Sequence, residues 1–197
     1  MRTFAAKEGW PAVRAGWADR LPEADLAALD EAVAFAVRHH GEQTRPAGEP
    51  YLEHLLEATR VLVEALGVTD VDVLRAAVLH DVVEDTPCSL DEVRDRFGER
   101  VATLVGWVTK PEGGTRAAYL ASLRDAPDDA LLVKLADRLS NVQRLDTHPR
   151  PAKRRAYYEE TVRDILPLAA RHPWFRDWFG SWRAEFRGLA EDASDDR

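Results

Sequence analysis

The sequence predicts an all-α helical bundle, and three observations carry that reading. Apolar residues recur at spacings of three and four, Gly and Pro divide the pattern into short segments, and no stretch alternates with the period of two that a half-buried strand requires. With 197 residues, 45% hydrophobic and 31% charged, the chain has the composition and length of one globular domain with a buried core. Pro22 opens a helix whose apolar positions are Leu26, Leu29, Val33, Ala36 and Val37, ending near Gly41. After a polar loop from Gly41 to Pro50, a second helix starts near Tyr51, carries Leu52, Leu55, Leu56, Val63 and Leu66, and stops at Gly67.

A third helix is expected from about Asp70 to Val83. It is apolar around most of its circumference and therefore belongs at the centre. Ser89 and Glu92 form a capping box for a short helix through Phe97, closed by Gly98. A further helix runs through Trp107 into the Pro111 to Thr115 loop. Leu131 to Leu145 reads as a long buried helix with Leu132, Leu135, Ala136, Leu139 and Val142 as its seam. A helix through Tyr157, Val162 and Leu166 follows, with Pro167 inside or ending it. An aromatic helix over 173–187 then presents Trp174, Phe175, Trp178, Phe179, Trp182 and Phe186, residues suited to a core or a dimer contact, and the 191–197 tail is acidic and expected to fray.

The net charge of -8 disfavours broad attraction to nucleic acid or anionic lipid, so an anionic ligand would need a local cation and a few placed Arg or Lys side chains. Cys88 is the only cysteine, which excludes an intrachain disulfide and a thiolate zinc site. The first ten residues lack a signal-peptide apolar run, and no segment approaches the roughly twenty apolar residues of a membrane helix. The expected location is the cytoplasm.

Chemistry enters where the pattern breaks. The most apolar helix ends in His80, Asp81, Glu84 and Asp85, an imidazole and three carboxylates where burial is expensive. At helical spacing His80, Asp81 and Glu84 border one pocket, and a divalent cation is the simplest counter-charge; an exposed acidic helix end is the alternative. His54 and Asp137 are anomalous in the same way, each inside an otherwise apolar helix. Taken singly, His54 is a core histidine and Asp137 a partner for Lys134 or Arg138; their joint order, His, His-Asp, Asp, points to a shared ion.

That order resembles the ligand set of the HD-domain metal phosphohydrolases. The stretches Gly48 to His54, His80 to Thr86, Phe97-Gly98 and Val133 to Asn141 are similar to the hydrolase domain of the RelA/SpoT alarmone enzymes and their single-domain relatives, the small alarmone hydrolases, over about residues 32–168. The resemblance implies an HD-domain bundle in one domain over 1–197, without a synthetase domain. It further implies an enzyme that uses one divalent ion, Mn²⁺, to remove pyrophosphate from the ribose 3′ position of ppGpp or pppGpp, leaving GDP or GTP. His54, His80, Asp81 and Asp137 would be the metal ligands, a mixed nitrogen and oxygen set suited to Mn²⁺ or Fe²⁺. Glu84 and Asp85 would orient and deprotonate the attacking water. Asn141 matches a position near the nucleotide sugar, Arg45 one against the purine, and Lys134 and Arg138 would supply positive potential for the phosphates, with Arg144 a weaker candidate.

Two departures bear on specificity. Pro46 stands where the family usually has lysine, and Leu55 stands where proline follows the histidine. Pro46 keeps open a phosphohydrolase of another nucleotide, such as an adenine alarmone, NADPH or a nucleoside monophosphate. A reading from a different class is a nucleotide-binding regulatory module that kept the shell and lost turnover. His40 is expected to anchor a loop or support the site, while His39, His148 and His172 receive no role.

Overall fold

The computed structural model describes residues 1–191. In chain order the helices are α1 (Gly9–Gly16), α2 (Glu23–His40), α3 (Tyr51–Arg60), α4 (Val71–Leu79), α5 (Val82–Asp85), α6 (Leu90–Phe97) and α7 (Glu99–Val108). They continue with α8 (Arg116–Ser122), α9 (Asp128–Val142), α10 (Pro151–Glu160), α11 (Leu166–Ala169), α12 (Pro173–Glu185) and α13 (Gly188–Glu191). Among the described residues there is no strand, only an isolated bridge between Thr44 and Pro50 that pinches the loop before α3. No helix among them is long and apolar enough to cross a membrane.

α4 lies at the centre, packed against α2, α3, α7 and α9. Leu74, Ala76, Ala77, Val78 and Leu79 are fully buried, as a helix apolar on nearly every side demands. Its start is set by Asp70, whose carboxylate accepts from the Asp72 and Val73 amides at 3.0 and 3.4 Å, the geometry of an N-cap. Its end differs from the expected run to Val83. The helix stops at Leu79, Asp81 takes φ −101° and ψ −4°, and α5 restarts at Val82. The His80-Asp81 pair thus sits on a junction between helices, where side chains one residue apart can face the same space.

Gly98 separates α6 from α7 at φ +90°, a conformation that a residue with a Cβ rarely adopts. Two short helices were not expected from the periodicity: α1, and α8, whose Thr115 hydroxyl accepts from the Ala118 amide at 3.2 Å. Between α10 and α11 the chain widens into a π turn over Thr161–Ile165. Pro167 lies two residues beyond it; a proline ring collides with the carbonyl four residues earlier in a regular helix, here that of Arg163 inside the wider turn, which relieves the clash.

The aromatic helix belongs to the core. Phe175, Phe179 and Trp182 on α12 are fully buried, and the Trp182 indole donates to the Val142 carbonyl at 2.9 Å, which seats α12 on the end of α9. The Trp178 indole donates to the Arg2 carbonyl at 2.8 Å and so ties down the N-terminal segment. The acidic tail over 192–197 lies outside the described residues.

Candidate metal centre

α3, the α4–α5 junction and α9 bring four of the expected residues to one point. His54 Nε2 lies 3.0 Å from His80 Nε2, 3.3 Å from an Asp81 oxygen and 3.4 Å from Asp137 Oδ1. His80 Nε2 lies 3.2 Å from Asp81 and 3.6 Å from Asp137. His54, His80 and Asp137 form a buried group able to hold a metal ion, and the Asp81 carboxylate completes the ring of donors.

Hydrogen bonding orients both imidazoles for a cation. His80 Nδ1 is 2.8 Å from the Ala77 carbonyl, an acceptor only, so Nδ1 carries the proton and the Nε2 lone pair points inward. His54 Nδ1 is 2.8 Å from Ser140 Oγ, and that hydroxyl gives its own proton to Glu57 at 2.6 Å. His54 therefore donates from Nδ1 and also turns a lone pair inward. Two imidazole lone pairs and two carboxylate oxygens facing one another at these distances repel unless something positive lies between them. Burial alone would push His80 down, but Asp81 and Asp137 outweigh it and raise its pKa well above the usual range. Without an ion, the carboxylates thus draw a proton into this space; a divalent cation replaces it with twice the charge, so the residues present fit a metal.

Asp137 is held from both sides. Lys134 Nζ donates to Oδ2 at 2.8 Å and the Asn141 amide to Oδ1 at 2.6 Å. Burial would raise the Asp137 pKa, yet Lys134 and the two histidines outweigh it and keep the carboxyl well below its ordinary range. The same contest at Asp81 ends the same way, with His80 and His54 outweighing burial. Both groups are carboxylates at neutral pH.

Glu84 and Asp85 take different places. The Asp85 carboxylate is 2.5 Å from the Tyr51 hydroxyl, which also lies 2.6 Å from Asp81. Burial, then the neighbouring Asp81 charge, push the Tyr51 phenol far up, so it keeps its proton and links the two carboxylates. Glu84 accepts the Lys110 amide at 2.9 Å and braces the loop after α7. Both acids are exposed at the rim of the centre.

A cleft lined by Arg45, Pro46, Ser140, Asn141, Arg144 and His148 opens beside it. Glu57, fully buried, organises its cationic wall. It accepts from Arg45 at 3.1 Å, from Arg144 at 2.6 Å and from Ser140 at 2.6 Å. Arg45 also reaches the Ser140 carbonyl and the Asn141 side chain, at 3.4 and 3.5 Å. His40 anchors the preceding loop, with Nδ1 2.8 Å from Gln43 and its ring stacked on Tyr51 at 4.5 Å.

Two of the expected cationic residues are already paired within the protein. Arg138 is 2% exposed, bonded to Glu160 and Thr161, and over the Tyr157 ring, so its charge is spent inside the protein instead of on a phosphate. Lys134 is buried, and its ammonium is committed to Asp137. Tyr51, Glu57 and Ser140 escaped the sequence reading. A signal existed for each: Tyr51 and Glu57 lie three residues either side of His54, and Ser140 three after Asp137, on the same helical faces.

The HD domain family model matches residues 32–175. The chain belongs to the HD domain family. Among curated proteins it is 41% identical to the human guanosine-3′,5′-bis(diphosphate) 3′-pyrophosphohydrolase MESH1, over 62% of this chain and 72% of that protein. It is also 41% identical to the guanosine-3′,5′-bis(diphosphate) 3′-pyrophosphohydrolase of Aquifex aeolicus, over 73% of this chain and 21% of that protein. With the Escherichia coli bifunctional (p)ppGpp synthase/hydrolase SpoT it shares 36% identity over 77% of this chain and 22% of that protein. This HD domain chain therefore spans about a fifth of the long bacterial relatives and most of the short human one. The solved structure of a metazoan ortholog of SpoT, described as hydrolysing ppGpp, superposes with a TM-score of 0.76 at 28% identity, covering 83% of this chain and 97% of that one.

Proposed function

We propose that this protein is a metal-dependent (p)ppGpp 3′-pyrophosphohydrolase that releases pyrophosphate and GDP or GTP. The observation that carries the reading is the ring of four donors from α3, the α4–α5 junction and α9, with both histidine lone pairs turned inward. His54, His80, Asp81 and Asp137 would hold one divalent ion, with Mn²⁺ suited to the mixed nitrogen and oxygen set. When bound, such an ion activates water and offsets charge developing on the attacked phosphorus.

The chain's own residues do the rest. Water adds to the phosphorus attached to the ribose 3′ oxygen, the bond between that phosphorus and the 3′ oxygen breaks, and the 3′ oxygen leaves with a proton. Asp85, joined to Asp81 through the Tyr51 hydroxyl, accepts the proton of the attacking water, and Glu84 flanks it. Lys134 and Asn141 keep the Asp137 oxygens fixed. Arg45 and Arg144, aligned by Glu57, face the anionic nucleotide with Asn141 between them.

Pro46 on the cleft wall favours a second reading, hydrolysis of a different nucleotide such as an adenine alarmone or NADPH, because a family lysine contact is missing there. One experiment separates the two. Metal-replete protein is incubated with ppGpp, ppApp, NADPH and nucleoside monophosphates, and products are resolved by chromatography. GDP and pyrophosphate from ppGpp, abolished by chelation and restored by Mn²⁺, is the expected outcome. Unchanged ppGpp alongside consumption of another nucleotide selects the second reading, and binding without turnover of any of them leaves a regulatory module.

A further inference from the structure

A second cluster of metal-ligating side chains lies outside the site described above. At the C-terminal end of α2, His39 lies against Cys88 in the connection from α5 to α6 and against Glu92 on α6. His39 Nε2 is 3.3 Å from Glu92 on α6, and these two and the Cys88 sulfur offer donor atoms all within 4.8 Å of one another. We propose that His39, Cys88 and Glu92 form a second, structural metal site that takes Zn²⁺.

The geometry and the chemistry agree. Two ligands about 2.0–2.1 Å from a tetrahedral zinc ion lie about 3.3–3.4 Å apart. The 3.3 Å between His39 and Glu92 already has that value. One imidazole, one thiolate and one carboxylate suit Zn²⁺ better than the harder ions favoured by the first site, which has no sulfur donor, and together they neutralise its charge. The expectation that a lone cysteine excludes a thiolate zinc site gives way here, because His39 and Glu92 supply the other corners of a mixed one.

Each ligand is held in place. The His39 ring packs on Phe35 with centroids 4.3 Å apart. Cys88 is buried, and its backbone amide donates to the Thr86 hydroxyl at 3.1 Å, fixing the turn that aims the sulfur. Ser89 caps α6 by accepting the Glu92 amide at 3.1 Å. In a full capping box the Glu92 carboxylate would also reach back to residue 89, whereas here it turns to His39. Burial and Glu92 push the Cys88 thiol up to about 12, so the thiol is inert without a metal, and an arriving ion must displace its proton. Zinc would clamp the 86–92 connection, which directly follows Asp81 and Asp85, to α2, with water as the fourth ligand.

The test uses Co²⁺ as a spectroscopic substitute on the chelator-stripped full chain. Two equivalents are expected, one showing a thiolate-to-cobalt charge-transfer band. Cys88→Ser should remove that band and one equivalent without changing helicity, and Asp137→Ala should keep the band. Glu92→Gln, on an exposed helix face, should weaken the thiolate-bearing equivalent by roughly tenfold, and Zn²⁺ should displace it. A single equivalent with no thiolate band in the wild-type protein, or a band that survives in Cys88→Ser, overturns the proposal.

Discussion

α4 and α9 pack against one another in the middle of the bundle, yet they bury opposite kinds of side chain. The buried residues of α4 are apolar from Val73 to Leu79, Asp72 and Arg75 lie partly exposed on its outer face, and a buried polar side chain, His80, appears only at the break where it ends. α9 buries Lys134, Asp137, Arg138 and Ser140 among its leucines. A buried apolar side chain contributes about 1.5–3 kcal/mol by leaving water, while a buried charge costs several unless it is paired and hydrogen-bonded. α9 meets that cost with partners on other helices: Asp137 beside two histidines, Arg138 with Glu160, Ser140 with Glu57. α4 holds the fold together, and α9 spends part of that stability on placing charge.

The largest effect should come from the charged helix. Asp137→Ala removes a ligand and the partner of Lys134, and hydrolysis should fall by about 10³-fold, the order associated with losing stabilisation of transition-state charge. Metal content measured alongside activity checks it; normal turnover in a metal-loaded variant would place the centre elsewhere. Leu74→Ala on α4 is the mirror experiment. It should cost about 3 kcal/mol and lower Tm by roughly 6–12 °C, leaving turnover per folded molecule and metal affinity unchanged.

Glu160 sharpens the comparison through pH. Burial would raise its pKa, but Arg116 and Arg138 outweigh it and hold the carboxyl at about 2. A group depressed on folding adds stability that is complete above its unfolded value near 4.5 and fades as pH falls toward 2. Glu160→Gln should therefore cost on the order of 1–3 kcal/mol at pH 7, and its urea-melt difference from the wild type should shrink steadily below pH 4.5. A difference independent of pH would show that the ion pairs with Arg116 and Arg138 contribute nothing. The smallest effect is expected for Glu57→Gln, which keeps the shape but weakens the Ser140–His54 link. Mn²⁺ affinity should drop by about tenfold, readable by titration calorimetry with no substrate present.

These contrasts mark what sequence can carry. The buried helices were legible because apolar spacing is a property of each segment alone, and the four converging donors were legible because each interrupts such a segment. The break at His80-Asp81 was not, since nothing local in Leu79 to Val83 opposes a continuous helix. Arg138 is expected toward the phosphates because it flanks Asp137 in sequence; its actual partner, Glu160, arrives from α10, and only the fold decides which carboxylate is nearer. Glu57 went unread for the same reason, as its three partners come from the loop before α3, from α9 and from the residues after α9. α8 is short and owes its start to Thr115, too weak a pattern to rise above the loop before it.

Anomalous diffraction at the manganese absorption edge, from crystals grown with Mn²⁺, tests the central claim most directly. One strong peak is expected among His54 Nε2, His80 Nε2, Asp81 and Asp137, about 2.0–2.3 Å from each donor. A Mn²⁺-saturated crystal with no peak there, or with these side chains turned away from a peak bound elsewhere, would contradict it.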